Sequence, residues 1–188
     1  MPQLQTQAGM IRVPAGMWTI DPVHSSVGFK IRHLMIANVR GQFSEFDGTV
    51  EAAEDDPVNS RVWGTVKVAS ISTGDPQRDE HLRSPDFFDA GRYPEITFES
   101  SRIRHIDGGT YEVAGDLMIK GVTREVELNA TVEGTAVDPW GVERVGISVR
   151  GTINRTDFGL TWQQKLAAGG LLVGEEVQLL VDVSAVRA

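Results

Sequence analysis

Apolar and polar positions alternate along most of this chain. In "VTREVELNATVE", Val122, Val126, Leu128, Ala130 and Val132 share one face, and Thr123, Glu125, Glu127, Asn129 and Thr131 share the other. A period of two means a strand with one dry side and one wet side. Val27, Phe29 and Ile31 alternate in the same way with Gly28, Lys30 and Arg32, and Val177, Leu179, Val181 and Val183 with Gln178, Leu180, Asp182 and Ser184. Similar runs around 40–53, 61–72, 95–104, 110–120 and 142–153 bring the expected number to about eight strands. The joints between them are short. Asp107-Gly108-Gly109 and Lys120-Gly121 suit tight hairpins, and Asp138-Pro139-Trp140-Gly141 suits a turn with proline in second place. Consecutive strands with short joints form an antiparallel meander. The expected fold is therefore all-β: an eight-stranded up-and-down barrel, which leaves no sheet edge open. A two-sheet sandwich fits the alternation as well.

One stretch breaks the period. "DPQRDEHLRSPDFF", residues 75–88, begins with a capping Asp75 and with Pro76 at the first helical position. A short helix near residues 76–88 is expected, with an Asp79–Arg83 surface pair and with Leu82, Phe87 and Phe88 on its apolar side. It would cover one end of the barrel. Residues 163–172, "QQKLAAGGLL", read as a loop, either a plain surface connection or a flap over the barrel mouth. Residues 1–16 read as a flexible N-terminal extension, and 17–188 as a single domain.

Composition narrows the function. Apolar residues make up 40% of the 188, enough for a folded core, and the net charge of -8 argues against a nucleic-acid partner. There is no cysteine, so disulfides, thiolate metal sites and a cysteine nucleophile are absent. The N-terminus lacks a basic segment followed by an apolar run, and no stretch approaches the ~20 apolar residues of a membrane helix. These features lead to the expectation of a cytoplasmic protein without a transmembrane segment.

Candidate chemistry is sparse. The histidines His24, His33, His81 and His105 sit in no compact motif. His81 has Gln77, Arg78, Ser84 and Pro85 as its helical neighbours, so the two-ligand spacing of a metal helix is missing, and no metal is expected. No GxSxG or GxGxxG element occurs either, and no cofactor is expected. His33 shares the strand parity of Phe29 and Ile31, so it is either a core histidine or a polar contact inside a cavity. In "NRTDFGLTW", residues 154–162, Arg155 and Asp157 form either a structural clamp or a ligand contact.

Four ordered segments carry a family resemblance: "WTIDPVHSSVGFKIRHLMIANVRGQFSEFDGTV", "ASISTGDPQRDEHLRSPDFFDAGRYPEITFES", "DLMIKGVTREVEL" and "INRTDFGLTW". Together they closely resemble the YceI-like family of bacterial lipid-binding proteins, over roughly residues 17–186. The resemblance implies a lipocalin-like barrel whose apolar lumen holds a long polyisoprenoid or similar amphiphile, such as an isoprenoid quinone or a polyprenyl compound, for carriage, storage or sequestration. Many relatives carry a signal peptide and work in the periplasm, a pattern from which this chain departs. The family offers no shared catalytic triad, so no catalytic residue is mapped. Alternation and resemblance together name Val27, Phe29, Ile31, His33, Phe98, Leu117, Ile119, Val126 and Leu128 as tunnel-facing, with Phe87, Phe88 and Phe158 beside them. Arg78, Arg83 and Arg155 are the candidates for a polar head group at the mouth. A buried CH₂ contributes about 0.8 kcal/mol, so each isoprene unit could add a few kcal/mol before ordering costs. Two other readings stay open: an enzyme acting on a barrel-bound lipid through His33, His24 or Asp157, and a filled barrel used for protein contacts, for instance as a homodimer.

Overall fold

The computed structural model describes residues 5–7 and 9–188. Strands β1 (Gln5–Gln7) and β2 (Met10–Arg12) form a small hairpin ahead of the main sheet. The sheet itself contains β3 (Gly16–Ile20), β4 (Ser26–His33), β5 (Ala37–Phe43), β6 (Phe46–Ala52), β7 (Arg61–Lys67) and β8 (Ile71–Ser72). Helix α1 (Pro76–Arg83) follows, and then β9 (Glu95–Asp107), β10 (Thr110–Ile119), β11 (Val122–Val137), β12 (Glu143–Asn154) and β13 (Val173–Arg187). Strands β3 and β4 form one stave bent at the 3-10 turn Pro22–His24, and β7 and β8 are another, bent at Val68–Ser70. The pair β5 and β6 is a third, broken at Ser44-Glu45. Counted this way, eight antiparallel staves close into a barrel, because β13 pairs with β12 on one side and with β3 and β4 on the other.

Turn chemistry sets the hairpins. Lys120 and Gly121 both take positive φ, 51° and 74°, as a two-residue turn between β10 and β11 requires. Asp138 Oδ1 accepts the N–H groups of Trp140 and Val142, which holds the β11–β12 turn. The inward faces form two cores. Trp18, Tyr111, Val132, Val145 and Ala185 pack near one end, and Ile119, Ile153, Phe158 and Leu160 near the other. Trp18 is almost fully buried, with its indole N–H donating to Pro14 O at 2.7 Å and the Arg187 guanidinium 4.5 Å from its ring centroid.

Residues 10–16 differ from a free extension. Buried Arg12 donates to the carbonyls of Ala53, Glu54 and Asp55, and Tyr111 Oη donates to Ile11 O at 2.6 Å. This strap folds across the end of the barrel opposite α1, where a row of loop carbonyls needs donors. Residues 1–4 and 8 of the expected extension lie outside the described residues.

At the other end, Asp75 caps α1 by accepting the N–H groups of Gln77 and Arg78. The expected Asp79–Arg83 pair does not form. Asp79 turns inward and accepts from Thr73 N at 2.8 Å and Thr73 Oγ1 at 2.6 Å. Arg83 instead donates to Ala69 O and Ile71 O. Buried acceptors of that kind outweigh a solvent-screened pair on an exposed face.

Candidate functional site

Between the two cores the barrel is hollow. The cavity measures about 420 Å³, within the roughly 300–1,000 Å³ range of ligand pockets. Val27, Phe29 and Ile31 line it from β4, Phe98 from β9, Leu117 and Ile119 from β10, and Leu128 from β11. His33, at the end of β4, also faces it. Val126 does not reach the wall, although it shares the parity of Leu128. It packs instead into the cluster of Leu117, Ile119 and Phe158 near the α1 end.

Small residues keep the interior open. Phe29 pairs across the strands with Gly41, and a Cβ on Gly41 would lie 2.3 Å from Phe29 Cζ. A Cβ on Gly115 would lie 2.5 Å from Phe98 Cζ, and one on Gly151 2.5 Å from Leu128 Cδ2. Each large side chain therefore lies along the wall over a glycine instead of projecting across the lumen. The half-buried state of Phe29, Ile31, Phe98 and Val149 follows, since their inner faces border the cavity.

The α1 end is closed by aromatic packing. Phe87 and Phe88 both line the cavity, with Leu82 from α1 beside them. Phe88 sits edge-on to Phe43 at 6.2 Å, and Phe43 meets Phe29 at 5.9 Å. On the outer side, His81 stands edge-on to both Phe87 and Trp162, each at 5.0 Å between centroids, while its Nε2 lies 2.9 Å from Asp86 Oδ2. These contacts make the segment 75–88 a packed cover.

The three candidate arginines separate. Arg78 faces the cavity and spends two donors on Thr73, Nε on Oγ1 at 2.7 Å and Nη2 on the carbonyl at 2.8 Å. Arg83 lies outside the cavity, on the carbonyls named above. Arg155 borders the cavity but is buried, and it donates to Gly174 O at 2.8 Å, Leu160 O at 2.7 Å, Trp162 O at 2.9 Å and Val173 O at 3.4 Å. Burial among neutral carbonyls lowers its pKa from the ordinary arginine value, partly offset by Glu175. Of the two readings of Arg155 the geometry matches the clamp, and its partners are backbone carbonyls, not Asp157.

The chain belongs to the YceI-like family. The family model, described as a YceI-like domain, matches residues 18–185. A UPF0312 protein of Photorhabdus laumondii is 38% identical over 164 residues, covering 87% of this chain and 82% of its own. Among solved structures, Burkholderia cenocepacia BcnA superposes with a TM-score of 0.77 at 25% identity, over 88% of this chain and 98% of its own. A polyisoprenoid binding domain from Saccharophagus degradans, implicated in plant cell wall breakdown, shares the fold at 14% identity, with a TM-score of 0.70 over 91% of this chain and 98% of its own.

In this YceI-like barrel the residues an enzyme would need are dispersed. His24 is exposed beside Asp21, Asp157 is exposed in the 3-10 turn Arg155–Phe158, and His33 faces the cavity. Among the described residues no three His, Asp or Glu side chains gather as metal ligands would, and no helix is long and apolar enough to cross a membrane. Sequence reasoning missed several wall residues. Val149, Val181 and Val183 carried the right alternation, and Phe43 ends the run of β5. Val13 gave no such signal, because it sits in the strap.

Proposed function

We propose that this protein binds a long-chain polyisoprenoid, or a related amphiphilic lipid such as an isoprenoid quinone or polyprenyl compound, and carries, stores or sequesters it without chemical change. The observation that carries this reading is the lining: most wall residues of the cavity are apolar, from Val13 at the strap end to Phe88 at the cover. Such a wall recognises length and apolar surface, and gives little purchase to a polar substrate. The polyisoprenoid binding domain that shares this fold supports the same reading. The tail would lie along Phe29, Ile31, Phe98, Leu117, Ile119 and Leu128, under Phe87, Phe88 and Phe158. Its head group would meet His33 and Arg78, whose guanidinium keeps donors beyond the two held by Thr73.

The test is rebinding. Delipidated protein titrated with a polyprenyl alcohol or an isoprenoid quinone should take up about one molecule per chain, with a rise in Tm that grows with ligand concentration. No uptake of either compound would overturn the reading.

A further inference from the structure

Among the described residues, three consecutive exposed apolar side chains occur together in one hairpin tip. Leu34, Met35 and Ile36 form the tip between β4 and β5, and Met35 is 50% and Ile36 80% exposed. The backbone there is also unfavourable. Leu34 and Met35 take φ of 53° and 61°, and Ile36 N donates to His33 O at 3.2 Å, so two bulky residues occupy the centre of a turn that Asn-Gly fills without strain. A tip that breaks both the solubility rule and the turn rule stands out as a place of function.

Its surroundings indicate what it meets. The tip adjoins the α1 end of the cavity, since Ile31, His33 and Val39 on its two strands line it. The 163–172 loop lies against it, with Leu34 N donating to Leu172 O at 2.8 Å. Arg32 Nη1 donates to Met35 O, Lys30 and Arg40 lie opposite each other across β4 and β5 below the tip, and Lys165 forms a β-bridge with Leu171 in the adjoining loop. None of the four takes part in the ion pairs found among the described residues. Glu175 and Glu176, in the irregular stretch of β13 opposite Arg32, leave the cations in excess there, in a chain whose net charge is -8.

We propose that this tip docks the protein on an anionic lipid bilayer. Leu34, Met35 and Ile36 enter the boundary between head groups and acyl chains, and Lys30, Arg32, Arg40 and Lys165 meet the phosphates, so that the covered α1 end of the cavity faces lipid. The proposal rests on the cavity being a lipid site and adds the route by which lipid reaches it. Apolar insertion and cationic attraction are each weak alone and hold together. The overall negative charge also sets orientation, because the rest of the surface is repelled. The opposite end also exposes apolar side chains, Val23, Val137, Trp140 and Val142, but there Arg144 and Arg187 are paired with Asp21, Asp138 and Glu143, so among the described residues that patch has no free cations beside it.

The experiment is flotation of the full chain with vesicles of phosphatidylcholine alone or mixed equally with phosphatidylglycerol. The parent should float with the mixed vesicles, less so at high salt, and scarcely with phosphatidylcholine. The variant Leu34→Asn, Met35→Gly, Ile36→Ser should bind roughly tenfold less. Its Tm should hold or rise, since Asn-Gly suits the turn, which separates lost docking from lost folding. Trp140→Ser should float like the parent. Equal flotation of parent and tip variant, or no flotation of the parent, overturns the proposal. Tip-dependent dimerisation without flotation overturns it too and assigns the tip to a second copy of the chain. A parent that rebinds polyprenyl lipid but does not float leaves the cavity reading standing while this inference fails; a parent that does neither ends both.

Discussion

Arg144 on β12 joins two turns at the strap end, donating to Asp21 at 2.8 Å and Asp138 at 3.0 Å. Arg144, then His24 and the Val23 N–H, hold the Asp21 carboxyl far below the usual carboxylate range. Asp138 is lowered first by the Val142 N–H, with Arg144 and the Trp140 N–H adding to it. Carboxyls whose folded pKa is depressed contribute stability that is fully present above their unfolded value of about 4 and is lost as pH falls below it. Arg144→Met should therefore lower Tm at pH 7, and the gap to the parent should narrow as pH drops below about 4. Thermal melts across that range check it, and a gap independent of pH would contradict the pairing. At this scale the sequence was partly legible. Alternation assigned Phe29 and Phe98 to the inner face, but the direction of each ring depends on Gly41 and Gly115 on neighbouring strands, a pairing no local pattern reveals.

Among the elements, the loop 159–172 depends on one side chain. Arg155 ties Leu160 and Trp162 at its start to Val173 and Gly174 at its end, and Gln163 Nε2 adds a bond to Val173 O at 2.6 Å. Removing a buried guanidinium leaves several carbonyls without donors. Arg155→Met should cost about 2–4 kcal/mol by denaturant melts and expose residues 163–172 to proteolysis. A variant of parental stability and unchanged protease resistance would contradict the clamp. The elements themselves were legible where local chemistry decides them. Cap and proline at Asp75-Pro76 marked the start of α1, and glycine or proline marked the hairpin turns. The Asp79–Arg83 pair failed because helical spacing shows which residues can meet, not that Thr73 and the Ala69 and Ile71 carbonyls compete for them. The strap at 10–16 was illegible for a similar reason, since its partners lie some forty to one hundred residues away.

For the whole molecule, eight strands with one apolar face fit a barrel or a sandwich, and a solid or a hollow interior. Closure comes from the long-range pairing of β13 with β12, β3 and β4, and hollowness from glycines placed opposite large side chains. Both are properties of register, which fixes every side chain's face at once. If this interior holds a lipid tail, filling it should expel the lipid. Ala130 faces the cavity from β11, so Ala130→Trp should occupy tail space. The measurement is the amount of long-chain lipid per protein in organic extracts, read by mass spectrometry, for parent and variant of matching circular dichroism. About one lipid per parent chain is expected, with most of it lost in Ala130→Trp. Equal lipid in both, or none in the parent, would contradict a lipid-holding interior.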